Sequence, residues 1–371
     1  MCKICTKITG ERNSDFMWRI LYRYNFGALN NLFLLRKEKN IMQKPNTLDE
    51  VLCNCPHNQT LVDNIIRAWA KINSPKYEKI VCTISGGSDS DDMLDIVWRC
   101  DKDNKVDYVW IDTGLEYQAT KEHLQYLEEK YNIKIKRYRA IKPIPLACRT
   151  YGQPFLSKQV SEFIQRLQKH NFQWKDKSFK ELQEEYPNCQ SALKWWCNAN
   201  KSDKFNIRNN KYLKEFLIEN PPTFNISNKC CLYAKKNILH QLLKEGSYGL
   251  NIFGVRKAEG GTRSTAYKSC FNENDSGCDS YRPLFWYKDS DKRDYENAYD
   301  VKHSACYREY GLKRTGCAGC PFGRAFEQEL EIISKYEPKL YQAVNYIFKD
   351  SYEYTKMYWE FRNKEEMVQV A

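Results

Sequence analysis

The chain has 371 residues, enough for one large or two ordinary domains, and 42% hydrophobic with 14% aromatic content implies a buried core rather than global disorder. No apolar run is long enough to span a membrane, and the N-terminus lacks a signal peptide's continuous apolar segment, so a cytoplasmic protein without a membrane partner is expected. A formal charge of +12 suits anionic partners such as nucleotides, sulfated or phosphorylated compounds or nucleic acid, and equally suits a lysine-rich solvated surface.

Residues 1–60 read as an N-terminal extension without an assigned fold. Cys2-x-x-Cys5 is half a metal site with no second pair nearby. Met17 to Leu35 reads as an appended helix or, with Met42 as the natural start, as upstream translated sequence. Cys53-x-Cys55 before Pro56 reads as loop. A helix is expected from about Leu61 to Ile72.

Lys79 to Ile84 is a short apolar, β-branched run, which predicts a buried strand. It stops at Ser85-Gly86-Gly87-Ser88-Asp89-Ser90, after which Met93, Ile96 and Val97 fall on one face of a helix. Strand, glycine turn and helix together place an anion on free helix N-terminal amides, with the serine hydroxyls as further donors. An ordinary strand-turn-helix with a serine-rich cap is the plainer alternative. The Gly-Lys-Ser/Thr ending of a Walker loop is missing. The six residues resemble the SGGxDS loop of PP-loop ATP pyrophosphatases, which implies ATP held across residues 85–90 and cleaved between its α and β phosphates.

Val106 to Asp112 predicts a second strand, ending in Asp112-Thr113-Gly114. A helix from about Gln118 to Tyr131 and a third strand from Ile133 to Tyr138 follow. Strands alternating with helices predict an α/β fold, a Rossmann-like doubly wound parallel sheet with ligands beyond the carboxyl ends of its strands. Asp89 and Asp112 can then face one crevice, although Asp112 also fits a turn residue before Gly114. Residues from about 150 to 228 break the rhythm and predict a helical insertion, with segments at Ser157–Gln168, Phe179–Glu185 and Lys211–Glu219. Trp195 and Trp196 are expected in its core rather than as a base-stacking platform. Beyond it come a helix from Tyr233 to Glu245, a strand from Leu250 to Arg256, and another from Arg282 to Tyr287. Arg256 and Arg263 flank a glycine turn at a strand end, a placement suited to clamping an anion. Two helices, about Glu327–Phe348 and Ser351–Val368, form a C-terminal region over 326–371.

Sixteen cysteines in a chain with no secretion signal point to metal or redox chemistry rather than disulfides. Cys230-Cys231 and Cys317-x-x-Cys320-Pro321 supply four thiolates, enough for an iron–sulfur or zinc site. Adjacent cysteines strain a zinc site, whose ligand pairs usually have two to four residues between them, so a cluster is favoured over zinc and over plain buried thiols. Cys270, Cys278 and Cys306 are substitutes if one of the adjacent pair turns away.

The Cys-Cys pair, the arginines at 256 and 263, the Cys-x-x-Cys and Asp112-Thr113-Gly114 resemble the APS/PAPS (adenylyl-sulfate and phosphoadenylyl-sulfate) reductase family over about residues 77–325. That resemblance implies an adenine-nucleotide alpha-hydrolase-like domain over 61–325. It places a phosphate or sulfate on Ser85 to Ser90, Arg256 and Arg263 at the anionic end of the ligand, and a [4Fe–4S] cluster on Cys230, Cys231, Cys317 and Cys320. Two departures stand out. Cys320 is the last cysteine, so the reductases' C-terminal nucleophile has no counterpart, with Cys148 the one obvious stand-in. The loop also reads closer to ATP pyrophosphatases, and cluster-bearing relatives of that mixed type resemble DNA phosphorothioation and tRNA thiolation enzymes.

The expectation is therefore magnesium-dependent adenylation by ATP with sulfur transfer. Asp89 would help to hold Mg2+, Arg256 and Arg263 would offset phosphate charge, and the acceptor is open: a nucleic acid, with a sulfur-donor protein as further partner. Reduction of APS or PAPS is the alternative activity. A zinc-containing nucleic-acid-binding protein is the alternative of a different class.

Overall fold

The computed structural model describes residues 42–260, 266–274, 277–323 and 325–370. Six strands form one sheet: β1 (Ile80–Ile84), β2 (Val106–Asp112), β3 (Ile135–Arg139), β4 (Leu250–Phe253), β5 (Phe271–Asn272) and β6 (Asp279–Tyr281). Their spatial order is β3-β2-β1-β4-β6-β5. All neighbours are parallel except the β5–β6 pair at one edge. The chain thus leaves β1 in one direction and resumes on its other side at β4. In sheets of this kind the switch point between such strands is where a crevice forms, beyond their carboxyl ends.

Both faces of the sheet are covered, as a parallel sheet requires. Ile80, Cys82 and Ile84 of β1 and Tyr108 and Trp110 of β2 enter the larger core, built with the helices Gln59–Ile72, Ser88–Cys100 and Asp289–Tyr299. The alternate residues Val81 and Val109 face the other side, against Leu242 and Tyr248. Residues 42–60 are part of this packing: a short helix at Leu48–Leu52 buries Val51 in the main core. Residues 1–41, with Cys2, Cys5 and the Met17–Leu35 stretch, lie outside the described residues.

The expected strand at Arg282–Tyr287 is not formed. The strand lies one step earlier, at Asp279–Tyr281, and a turn follows. Pro283 has no N–H to continue the ladder, which ends the strand there. The helix expected from Tyr233 begins earlier and irregularly, with one turn at Lys229–Cys231 and a π-helical segment at Leu232–Lys236 before Asn237–Glu245. The expected helix over 327–348 is two helices, Phe326–Tyr336 and Pro338–Ile347, because Pro338 starts a new one.

The insertion has a core of its own. Trp195 and Trp196 are fully buried in it with Phe155, Phe172 and Phe216. Tyr354 and Tyr358 of the last helix, Lys349–Val370, enter the same core, while Tyr352 of that helix and Phe348 just before it enter a third core under the Cys-x-x-Cys segment. No helix among the described residues is long and apolar enough to cross a membrane.

Candidate functional site

The serine-glycine loop leaves β1 directly into the Ser88–Cys100 helix at the switch point. Gly86 has φ +70°, and a Cβ there would stand 2.5 Å from Thr120 Cγ2. Both the backbone conformation and the close helix behind it therefore call for glycine. The Ser90 hydroxyl accepts from the Ser85 amide at 2.9 Å, which folds the loop back on the helix start. Gly254, just past β4, closes the other side of the crevice: its Cβ position lies 3.2 Å from the Asp89 carbonyl oxygen.

Two side chains that the sequence did not single out line this loop. The Tyr307 hydroxyl accepts from the Ser88 amide at 3.1 Å and from the Thr315 amide at 3.2 Å, and lies 2.9 Å from Thr315 Oγ1. It takes the place on the Ser88 amide that an anion's oxygen would take. Nothing local marks Tyr307 or Thr315, since they reach the loop from more than two hundred residues away.

The predicted charged residues pair with one another. Arg256 is buried, its Nε donates to both oxygens of Asp89 at 2.9 Å, and its Nη1 donates to Asp289 at 2.8 Å. Lys292 Nζ lies 3.4 Å from Asp89 Oδ1. As it stands, the Asp89 carboxylate is not open to a metal ion. Asp112 accepts from the Gly114 amide at 2.8 Å, a turn-forming contact. Arg263 lies outside the described residues.

The four predicted cysteines come together. Cys230, Cys231, Cys317 and Cys320 line one cavity with Ile144, Lys235 and Phe348. Different elements deliver them: the single turn Lys229–Cys231 carries one pair, and the loop before the Phe326–Tyr336 helix carries the other. That loop is pinned. Gly319 has φ +60°, and its Cβ position would fall 2.7 Å from the Tyr352 hydroxyl. Tyr352 donates to the Gly319 carbonyl, the Gly319 amide donates to Glu329 at 3.1 Å, and the Ala318 amide donates to Leu115 O at 2.9 Å. Burial holds the Cys317 and Cys320 thiols above their ordinary values, with the Lys235 ammonium opposing it at Cys317. At Cys230 the largest cause of the upward shift is its contact with Cys148, and at Cys231 the contact with Cys230.

Cys148, the stand-in nucleophile expected from the sequence, is not exposed. It is buried on the Ile144–Tyr151 helix, against Cys230. Cys270, Cys278 and Cys306 do not line the cavity. Cys306 is buried beside Thr120, and the other two pack at the sheet.

The loop crevice and the thiol cavity share one turn. Thr113 lies between Asp112 and Gly114, and its hydroxyl is 2.5 Å from Glu116 Oε1 and 3.8 Å from Cys317 Sγ. Burial, the largest influence, raises the Glu116 carboxyl, against the opposing Lys235 charge.

The phosphoadenosine phosphosulfate reductase domain matches residues 79–322 of this chain, a span that holds the loop, the shared turn and all four cysteines. Among solved structures, the phosphoadenylyl-sulfate reductase of Candida auris in its phosphate complex is similar at 15% identity, covering 75% of this chain and 97% of that one, with a TM-score of 0.37. The U34-tRNA thiolase NcsA of Methanococcus maripaludis with its [4Fe-4S] cluster is similar at 12% identity, covering 82% and 80%, with a TM-score of 0.35. No curated protein matches the chain.

Proposed function

The chain belongs to the phosphoadenosine phosphosulfate reductase domain family, in the adenine nucleotide alpha-hydrolase-like superfamily, and from that premise we propose an enzyme that adenylates an acceptor with ATP and delivers sulfur to it. The family implies an adenine-nucleotide ligand. The observation that carries the finer reading is the shared turn: Thr113 touches Cys317, while Asp112 before it ends β2, the strand paired with β1 ahead of the loop. A nucleotide on the loop and a sulfur-handling group on the cysteines would meet at one place.

The thiol cavity fits a [4Fe–4S] cluster on Cys230, Cys231, Cys317 and Cys320. Among the described residues no three cysteine sulfurs lie within 4.8 Å of one another. Four sulfurs on one zinc ion would be about 3.8 Å apart, from a Zn–S bond of about 2.3 Å. Four thiols brought to one cavity by two separate segments suit a group of several metal ions. Bound there, such a cluster supplies a site for holding or relaying sulfur. Mg2+ fits less well at Asp89, whose oxygens Arg256 already engages, so no step is assigned to that pair.

In the proposed reaction the loop amides of Gly86, Gly87 and Ser88 orient the ATP phosphates, with Tyr307 giving up the Ser88 amide to a phosphate oxygen. An acceptor oxygen attacks the α phosphorus, the bond to the β phosphate breaks and pyrophosphate leaves. A hydrosulfide-level nucleophile from the sulfur donor then attacks the acceptor atom that bears the adenylated oxygen, and AMP leaves with that oxygen. Reduction of a sulfonucleotide would instead need a mobile, partly exposed thiolate. Cys148 offers neither mobility nor exposure, being 5% exposed and packed against Cys230.

A nucleic-acid acceptor is supported by one surface feature beside the thiol cavity. Tyr151 and Tyr233 stack with centroids 4.7 Å apart and planes 5° apart, and Lys142 Nζ lies 4.7 and 5.1 Å from their ring centres. Lys229 stands 5.6 Å from Tyr151. Aromatic rings ringed by lysines suit an unpaired base with its phosphates.

The deciding experiment is anaerobic. Purified protein with ATP, magnesium and a mixed RNA and DNA acceptor pool is expected to release pyrophosphate, and with thioredoxin and either APS or PAPS no sulfite. Thioredoxin-dependent sulfite that disappears in Cys148→Ser would restore the reductase reading. A colourless protein with stoichiometric zinc would favour the zinc-containing nucleic-acid binder.

A further inference from the structure

Behind the nucleotide loop, three elements converge on a buried cluster that neither the loop nor the thiol cavity uses. Asp91 and Asp92 lie near the start of the Ser88–Cys100 helix, Lys292 and Glu296 lie on the Asp289–Tyr299 helix, and His303 follows that helix. Asp91 Oδ2 accepts from His303 Nδ1 at 2.9 Å and lies 3.1 Å from His123 Nε2. With Nδ1 tied to a carboxylate, His303 presents Nε2 to Glu296 Oε1, 2.7 Å away. Ligand atoms of Asp92, Glu296 and His303 all fall within 4.8 Å of one another.

Such carboxylate-to-imidazole support is what orients a metal-binding histidine. A second observation is independent of it. Asp92 is fully buried, yet its Oδ1 has no hydrogen-bond partner. Lys292 Nζ sits 2.5 Å from the other oxygen, Oδ2, and 2.6 Å from Glu296 Oε1. One oxygen on Asp92 therefore stays open while the lysine remains in place. Glu296 and His303 are partly exposed and give an entry path.

We propose that Asp92, Glu296 and His303 form a divalent-cation site, separate from the thiol cavity, with Lys292 as the cluster's resident cation when the site is empty. One imidazole nitrogen with two carboxylate oxygens suits Mn2+ or a similar hard-to-borderline ion, which thiolates hold poorly. The bound ion would join both helices and the His303 segment immediately behind the nucleotide loop.

The test uses the full chain, stripped with chelator and free of nucleotide, titrated with Mn2+ alone and followed by the electron paramagnetic resonance of free Mn2+. The wild type is expected to bind one equivalent. Folded His303→Gln and Glu296→Gln should each lose at least about tenfold in affinity, the loss typical of a disturbed metal shell. The double variant Cys317→Ser/Cys320→Ser should keep wild-type Mn2+ binding whether or not it holds iron, so the result does not depend on the sulfur-transfer reading. No Mn2+ bound by the wild type, or unchanged affinity in both folded variants, would overturn the proposal. If the variants do not fold, pulsed resonance on the wild type decides: nitrogen coupling from one imidazole is expected, and oxygen-only coordination would overturn it.

Discussion

A Cβ at Gly87 would lie 3.3 Å from Ser85 Oγ, from Thr315 Oγ1 and from the Tyr307 hydroxyl. Those three oxygens surround the space in which an anion would meet the loop amides, so even one methyl group crowds it. Gly87→Val is expected to lower ATP affinity by about 100-fold or more, roughly 2.7 kcal/mol, with the far-ultraviolet circular dichroism unchanged. Calorimetric titration checks it, and wild-type affinity in the folded variant would remove the loop from the site. The loop was readable residue by residue, because glycine and serine at a strand end have a local meaning. Asp89 and Arg256 were not readable in that way. Their side chains come from opposite sides of the switch point, and only the fold shows that each is the other's partner.

At the scale of elements, β6 carries a pH-sensitive anchor. Asp279 accepts from the Tyr77 hydroxyl at 2.6 Å and the Asn274 amide at 2.9 Å, and pairs with Lys76 at 2.8 Å. Burial alone would raise its carboxyl, but Lys76, Tyr77 and Asn274 outweigh it and hold the value below the ordinary one. A depressed folded-state value stabilises the protein above the unfolded value and loses that contribution as pH falls through the folded one. Asp279→Asn is expected to cost about 1–3 kcal/mol at pH 7. The gap from wild type should close as the medium becomes more acid than about pH 4, as urea unfolding at several pH values would show. A gap that stays constant with pH would contradict the role.

The Cys-x-x-Cys loop is the second element whose role can be tested. Serine at Cys317 or Cys320 is expected to remove bound iron, because metal binding and local folding are coupled. The Phe326–Tyr336 helix should then exchange its amide hydrogens faster. Full iron content in both variants would argue against the assignment. Cys148→Ser is expected to keep the iron.

For the molecule as a whole, the Lys349–Val370 helix joins two cores. Tyr352 packs on Phe326 beneath the cysteine loop, and two residues later Tyr354 packs on Phe155 and Phe216 in the insertion. Tyr354 also donates to the Asn220 carbonyl at 2.5 Å. Tyr354→Ala is expected to cost about 3–5 kcal/mol, the range for removing a large buried ring. The insertion helices should lose hydrogen-exchange protection before the sheet does. Simultaneous loss in sheet and insertion would mean that the two do not open separately.

The sequence alone determined what depends on near neighbours. β2 and the Gln118–Tyr131 helix fall on their expected residues, since period and flanking residues are local properties. The four cysteines that line one cavity were visible too, because a Cys-x-x-Cys and an adjacent pair stand out by spacing. Pro283 and Pro338 were also visible: the first stands inside the expected Arg282–Tyr287 strand, which is not formed, and the second divides the expected 327–348 helix. Tertiary structure decided the rest. It alone placed Tyr307 and Thr315 on the loop, Cys148 against Cys230, and Thr113 between crevice and thiols. It also assembled Asp91, Asp92, Lys292, Glu296 and His303 from segments some two hundred residues apart. The physical reason is that a site's charge pairing and desolvation depend on distances in space, and no periodicity along the chain encodes which distant side chains will share one buried volume.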